Sequence, residues 1–256
     1  MPLLADFHNH TCLSPCGSLE QSPRLLAKIA AIRGVKVLAL TDHNSALNCP
    51  AFAKVCPPLG ILPVFGLEAT TREEIHVLCL FTDLEACLAF NTYAYSILLP
   101  FPNVPGKTGD QVYVDENDCI EGEVEYYLVS PLELSIDDIG AKVLEYGGIL
   151  IPAHVDRPAF SMTSQLGVIV PGPWTALECT RIPPAGTSHW SPKAEKQVLD
   201  TLGYPLITSS DAHYPEHIAR RPFELDINME ELAPRGLSGG ADMDALKRAL
   251  EKRPIK

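Results

Sequence analysis

The chain has 256 residues, 46% of them hydrophobic, which suits one large core and does not require two domains. A formal charge of −12 excludes a broadly basic surface, so bulk nucleic-acid binding is not expected. No apolar run approaches the roughly 20 residues that span a bilayer, and Met1 to Ala5 has no basic leader start. The expectation is a cytoplasmic protein without a membrane partner, its eight cysteines reduced, since none forms a CxxC pair.

Taken in chain order, helix-like stretches, short β-rich runs and polar clusters alternate. The first cluster is Asp6-Phe7-His8-Asn9-His10. Ser22 to Arg33 reads as an amphipathic helix, with Leu25, Leu26, Ile29 and Ile32 on one face and Gly34 as its stop. Val35 to Leu40 reads as a buried strand, followed by Thr41-Asp42-His43. Ile61 to Phe65 leads into Glu68, and Glu74 to Phe81 carries His76. Ile136 to Tyr146 is a helix stopped by Gly147-Gly148; the run Ile149 to Ile151 then leads to Pro152-Ala153-His154. Ala176 to Cys179 leads to Thr180-Arg181. Pro192 to Leu202 is a helix stopped by Gly203, and Pro205 to Thr208 leads to Ser209-Ser210-Asp211-Ala212-His213.

This alternation implies a mostly parallel sheet or barrel with outer helices. Polar groups just past the strands then gather at the C-terminal face, where such folds carry active sites. Two segments break the rhythm: residues 100–127, read as a loop and hairpin inserted on the rim, and a C-terminal extension of about 222–256 ending in a helix from Met243 to Lys252. Neither is long enough for a domain of its own, so residues 1–256 are read as one.

Imidazole nitrogens and carboxylate oxygens are ligands that zinc, manganese and iron accept. A lone histidine would mean little; short His/Asp clusters after successive β-runs point to a multinuclear metal site. The order HxH, TDH, Glu, His, PAH, SDAH, from Asp6 to about His213, resembles the polymerase and histidinol phosphatase (PHP) family of metal-dependent phosphoesterases. The resemblance implies a distorted (β/α)7 barrel holding two to three divalent ions (zinc, manganese or iron) at its C-terminal mouth. It implies His8, His10, Glu68 and Asp211 on a first ion, with Glu68 bridging to a second ion held by His76 and His154. A third ion would fall to His43, His213 and the residue eight positions past the first histidine. That residue is Cys16, where the family often has His or Asp. Either its thiolate favours zinc or iron over manganese, or Cys16 stays outside the ligand set.

Two ions sharing a carboxylate suit in-line phosphoryl displacement by a metal-activated water. Asp42 is read as orienting His43 or a neighbour, or else as a helix N-cap; Asp6 is read as supporting the HxH pair. Arg157, Arg181, Arg220 and Arg221 are candidate phosphate contacts, and His189 a phosphate contact or proton donor. His217 could substitute in the third site. The remaining cysteines read as packing residues, and Asp115 to Asp118 as a solvated turn lacking a calcium loop's spacing. The expected activity is hydrolysis of a small phosphorylated metabolite or nucleotide. Two alternatives stand beside it: a 3′–5′ exonuclease on short oligonucleotides, and a non-catalytic metal-binding regulatory module. A further rival, an amidohydrolase, would need a metal-bridging lysine, and none stands out.

Overall fold

Each early element is set by local chemistry. In the computed structural model, which describes residues 2–181, 199–233 and 241–252, strand β1 (Leu3–Asp6) precedes helix α1 (Pro23–Ile32). The Ser22 side chain accepts the Leu25 N–H, Pro23 opens the first turn, and Gly34 at φ 84° ends it. Strand β2 (Val37–Leu40) follows, then α2 (Cys49–Val55), β3 (Leu62–Thr70), β4 (His76–Phe81) and α3 (Leu84–Ser96). The rim segment holds α4 (Pro105–Thr108) and an antiparallel hairpin of β5 (Val112–Val114) and β6 (Ile120–Glu123). Asp115 Oδ1 accepts the Asn117 and Cys119 N–H groups at its tip, the solvated turn expected there. The chain continues through α5 (Ile136–Glu145), β7 (Ile149–Pro152), α6 (Met162–Leu166), β8 (Leu177–Glu178) and β9 (Leu206–Ile207). It ends with β10 (Phe223–Leu225), α7 (Met229–Leu232) and α8 (Met243–Glu251).

The main sheet runs β10-β1-β2-β3-β4-β7. The pairs β1/β2 and β2/β3 are parallel, whereas β3/β4, β4/β7 and β1/β10 are antiparallel. The sheet is therefore mixed, not mostly parallel. The cause lies in segment 71–75, where Thr71 and Ile75 bond across a tight turn; a parallel return needs a crossover of a dozen or more residues. The wall continues from β7 to β8 through a parallel bridge at Leu150 and Trp174, and β8 pairs parallel with β9. It returns to β1 at a parallel bridge between Asn9 and Ala212, where the His10 N–H donates to Ala212 O at 3.0 Å. The strands β1, β2, β3, β4, β7, β8 and β9 thus enclose a distorted barrel, as the resemblance implied.

Alternation along each strand sorts two cores. Ala5, Phe7, Val37, Ala39, Val64, Leu78, Leu80, Ile151 and Ile207 fill the lumen, which Leu246 and Leu250 of α8 close from below. Leu38, Leu40, Phe65, Cys79 and Leu150 face outward onto Leu26 of α1, Phe90 of α3 and Val143 of α5. Full burial of such a leucine contributes about 1.5–3 kcal/mol. The same parity matters for function. Glu68 shares the face of Leu62 and Val64, His76 that of Leu78 and Leu80, and Glu178 that of Ala176. All three therefore point into the lumen, at its open end. All eight cysteines are free; Cys16 and Cys119 are exposed and the others buried. Among the described residues no helix is long and apolar enough to cross a membrane.

Candidate metal centre

Glu68 is the hub. Its Oε1 lies 2.8 Å from His76 Nδ1, 3.2 Å from His154 Nε2 and 3.2 Å from His8 Nε2. Its Oε2 lies 2.9 Å from His43 Nδ1 and 3.4 Å from His10 Nε2. Asp211 Oδ1 closes the other side, 3.5 Å from His8 Nε2 and 3.4 Å from His10 Nε2. The His10 ring lies 4.5 Å from that of His43 and 4.0 Å from that of His213, centroid to centroid. Four overlapping groups result, each with its candidate ligand atoms within 4.8 Å of one another. They are His8/His10/Asp211, His8/Glu68/His154, His43/Glu68/His76 and His10/His43/His213. Every member is buried except His213, which is half-buried.

Each ligand-bearing group is held from behind. Glu178 Oε2 lies 2.9 Å from His8 Nδ1 and accepts the His154 backbone N–H at 2.9 Å. Ser14 Oγ sits 2.9 Å from His10 Nδ1 and donates to Asp42 Oδ1 at 2.7 Å. Asp42 also accepts the Thr11 N–H and hydroxyl, each at 2.6 Å. Asp42 thus caps no helix, a correction to that reading; through Ser14, whose Oγ also accepts the His43 N–H at 3.2 Å, it reaches both His10 and the His43 backbone. Asp6 is likewise corrected. Its carboxylate accepts the Ser210 N–H at 2.9 Å and the Ser210 hydroxyl, fastening the loop that carries Asp211 instead of the HxH pair. Gln21 Nε2 donates to both His10 O (2.6 Å) and Ala212 O (2.8 Å), spanning the seam between the same segments. His154 (φ 31°) and Asp211 (φ 48°) sit in the left-handed region, strain of the kind that clusters at functional sites.

Burial and crowding push these groups apart in proton affinity. Burial alone would raise the Glu68 carboxyl, but the His76, His8 and His43 rings hold it well below the usual carboxylate range. Asp211 is depressed in the same way, against burial, by His8 and His10. Burial would lower His8, yet Glu178, Glu68 and Asp211 take it well above its ordinary value. Burial, then the His213 and His43 charges, lowers His10 well below. Burial lowers His76 to about 4 despite Glu68, while Glu68 and Cys16 raise His43 to about 10 against burial. Imidazoles packed this tightly cannot all carry protons, whereas cations among them would satisfy carboxylates and ring nitrogens together. His43 Nδ1 and Glu68 Oε2, although 2.9 Å apart, make no hydrogen bond, and His76 Nε2 and His154 Nδ1 are also buried without a partner among the described residues. This nitrogen and oxygen set fits divalent zinc, manganese or iron.

Cys16 lies beside the His10/His43/His213 group but is in none of the four groups whose atoms lie within 4.8 Å of one another. Partial enclosure of the thiol resists its ionisation, but the neighbouring His213 and His43 rings bring it down to about 6. Cys12, by contrast, is pushed up to about 12 by burial, as a packing thiol should be. Arg157 is half-buried at the mouth, its Nη2 2.5 Å from Asp211 Oδ2. Arg220 donates to Ser210 O (2.7 Å) and Asp211 O (3.3 Å); Arg221 donates to Thr180 O (3.2 Å) and Ser210 O (3.1 Å). These donors reach backbone carbonyls of the Asp211 loop and its neighbour, so both arginines staple that loop. Arg181 is exposed just past β8. His217 packs edge-on against Tyr214 at 5.5 Å and joins none of the ligand groups. His189, and most of the helix expected from Pro192, lie outside the described residues. Glu178 was missed by sequence reasoning: it sits inside a short apolar run that reads as core, and only its lumen-facing parity could have flagged it.

Fold and site together define an α/β barrel with a buried histidine–carboxylate centre at the open end. The PHP domain model matches residues 6–146, and the chain belongs to the PHP domain family. His154, Asp211 and His213 lie beyond that match and enter the centre through tertiary geometry. A PolC-type DNA polymerase III of Streptococcus suis is 33% identical over 88 residues, which are 34% of this chain and 6% of that protein. An uncharacterized protein of Methanocaldococcus jannaschii is 32% identical over 77 residues, 27% of this chain and 45% of that one. Among solved structures, the lesion-specific endonuclease PfuEndoQ of Pyrococcus furiosus superposes with a TM-score of 0.62 at 15% identity, covering 98% of this chain and 56% of that one. A candidate metal-dependent phosphoesterase of Bifidobacterium adolescentis gives a TM-score of 0.54 at 18% identity, covering 96% and 95% of the two chains. At these identities the structural likenesses speak for the fold alone.

Proposed function

We propose that this protein is a divalent-metal-dependent phosphoesterase that hydrolyses a small phosphorylated compound. The observation that carries the reading is Glu68, one buried carboxylate faced by His8, His76 and His154 on one oxygen and by His10 and His43 on the other. His8, His10, Glu68 and Asp211 would hold one ion, and Glu68, His76 and His154 a second. His43 and His213, with Cys16 beside them, would hold a third. Bound ions would supply Lewis acidity toward a water and a phosphoryl oxygen.

The chain's own residues do the rest. Glu178 keeps His8 Nε2 turned toward Glu68 and Asp211 by engaging the opposite ring nitrogen. Ser14, backed by Asp42, does the same for His10. The Asp6–Ser210 contact and the Arg220 and Arg221 staples fix the Asp211 loop. Arg157 presents a half-exposed guanidinium at the rim, a group suited to two phosphate oxygens at once. The acidic balance of −12 favours a compact substrate over a long nucleic-acid track.

The direct test is hydrolysis of a chromogenic phosphomonoester and a phosphodiester by manganese- or zinc-reconstituted protein, with His154→Ala as control. Monoester turnover lost in His154→Ala supports a small-metabolite phosphatase. A second reading, cleavage at a short oligonucleotide end, draws on the sequence shared with PolC-type polymerases; diester turnover would favour it. Absence of both activities with metals bound would overturn the proposal.

A further inference from the structure

One loop beyond β7 carries three chemically distinct groups toward the mouth: His154, then Arg157, then Phe160. Phe160 is 40% exposed, yet its ring lies over that of His76 at 4.9 Å and 22° between planes. Its carbonyl accepts the His76 N–H at 3.0 Å, so backbone and ring are both fixed against a residue of the metal centre. Its backbone sits at φ 54°, a conformation rare for a bulky side chain and of a kind concentrated at ligand clamps. The loop is braced below: Ser161 caps α6, the Ser161 hydroxyl donates to Arg157 O at 2.7 Å, and the Thr163 hydroxyl donates to Val155 O. A single exposed aromatic is ordinary. A strained one, stacked on a metal-centre histidine and three residues from a rim arginine, is not explained by packing.

We propose that Phe160 is a specificity-determining residue: its outward face stacks a planar heteroaromatic ring of the substrate, such as a nucleobase, while the phosphate ester lies toward Arg157 and the histidine–carboxylate centre. This deepens the phosphoesterase reading and rests on it for the position of the phosphate. Stacking on an aromatic face tolerates any base, because every base presents a π-face. The ring can come from a free nucleotide or from the end of a short strand.

The test compares adenosine 5′-monophosphate, ribose 5-phosphate (the same ester without the base) and a 5′-phosphorylated dinucleotide. Wild type, Phe160→Ala and Phe160→Tyr are reconstituted with the same metal, and their metal content is measured. Both turnover and equilibrium binding by calorimetry are read. We expect wild type to prefer adenosine monophosphate over ribose phosphate by about tenfold or more, equivalent to about 1.4 kcal/mol. Phe160→Ala should remove that preference through KM, and Phe160→Tyr should restore it, with metal content unchanged. A larger preference for the dinucleotide would assign the ring to a strand end; preference for the mononucleotide would assign it to a free nucleotide. No base preference in wild type, or an equal loss for all three compounds in Phe160→Ala, would overturn the proposal. If nothing is hydrolysed, the phosphoesterase reading fails, and the same order of Kd values still decides the stack.

Discussion

Glu178 and His8 link the barrel wall to the candidate metal centre: Glu178 Oε2 lies 2.9 Å from His8 Nδ1, and both side chains are essentially buried. The same carboxylate oxygen accepts the His154 N–H, so one residue of β8 orients the candidate ligands that follow β1 and β7. Carboxylates behind metal-binding imidazoles fix the tautomer and raise ligand basicity. Glu178→Ala should therefore weaken metal affinity by about 10–100-fold, measured by competition with a chromogenic chelator. Wild-type affinity in a folded Glu178→Ala protein would remove Glu178 from this role.

Asp42 accepts from Thr11 N–H, Thr11 hydroxyl and Ser14 hydroxyl, all buried. Burial raises its carboxyl above the ordinary range, so it is retained at a cost, offset by those three donors. Asp42→Ala strands them, and unfolding in urea should show a loss of at least about 1–3 kcal/mol. His10 loses its Ser14 support in the same variant, so metal affinity should fall as well. Unchanged stability would mean that water replaces the carboxylate without penalty.

Asp6 gives a pH signature. Burial raises its carboxyl to about 6, against the lowering hydrogen bonds from Ser210. In the unfolded chain it titrates near the ordinary value of about 3.9. Between those values the folded protein keeps a proton that the unfolded chain has released. Its contribution to stability is thus complete below about pH 4 and is lost as pH rises through about 6. In metal-free protein, the unfolding free energy of wild type minus that of Asp6→Asn should fall by roughly 2–3 kcal/mol across that window. A flat difference would contradict the raised value.

Cys16 bears on metal choice. The neighbouring His43 and His213 rings lower its thiol to about 6, putting a readily ionised group at the edge of the third group. Thiolates favour zinc over manganese. Cys16→Ser should shift the ratio of bound zinc to bound manganese toward manganese in mixed-metal dialysis, read by elemental analysis. An unchanged ratio would place Cys16 outside the ligand set.

Much of the candidate centre was legible because polar groups at a barrel mouth tend to follow strand ends, and His8, His10, His43, His154, Asp211 and His213 each follow one. Glu68 and His76 were legible too, although they lie within β3 and at the start of β4. What sequence spacing could not carry was pairing across the fold. The antiparallel β3/β4 return depends on a tight turn at 71–75 whose two flanks look like any pair of buried strands. Asp42 finds its partners about thirty positions away, in Thr11 and Ser14, and Asp6 finds Ser210 on the far side of the barrel seam. Arg220 and Arg221 follow the SDAH motif closely enough to suggest a phosphate, but spacing does not show that they also reach the backbone carbonyls of 210 and 211. Periodicity reports faces, not partners.

The most direct test of the central claim is Glu68→Ala, with phosphate-ester hydrolysis and bound metal measured together on folded protein. Glu68 is the carboxylate that five histidine nitrogens face at 2.8–3.4 Å. We expect hydrolysis by wild type to be abolished in the variant, with metal lost and secondary structure kept. Turnover and metal content equal to wild type would contradict the assignment of this centre.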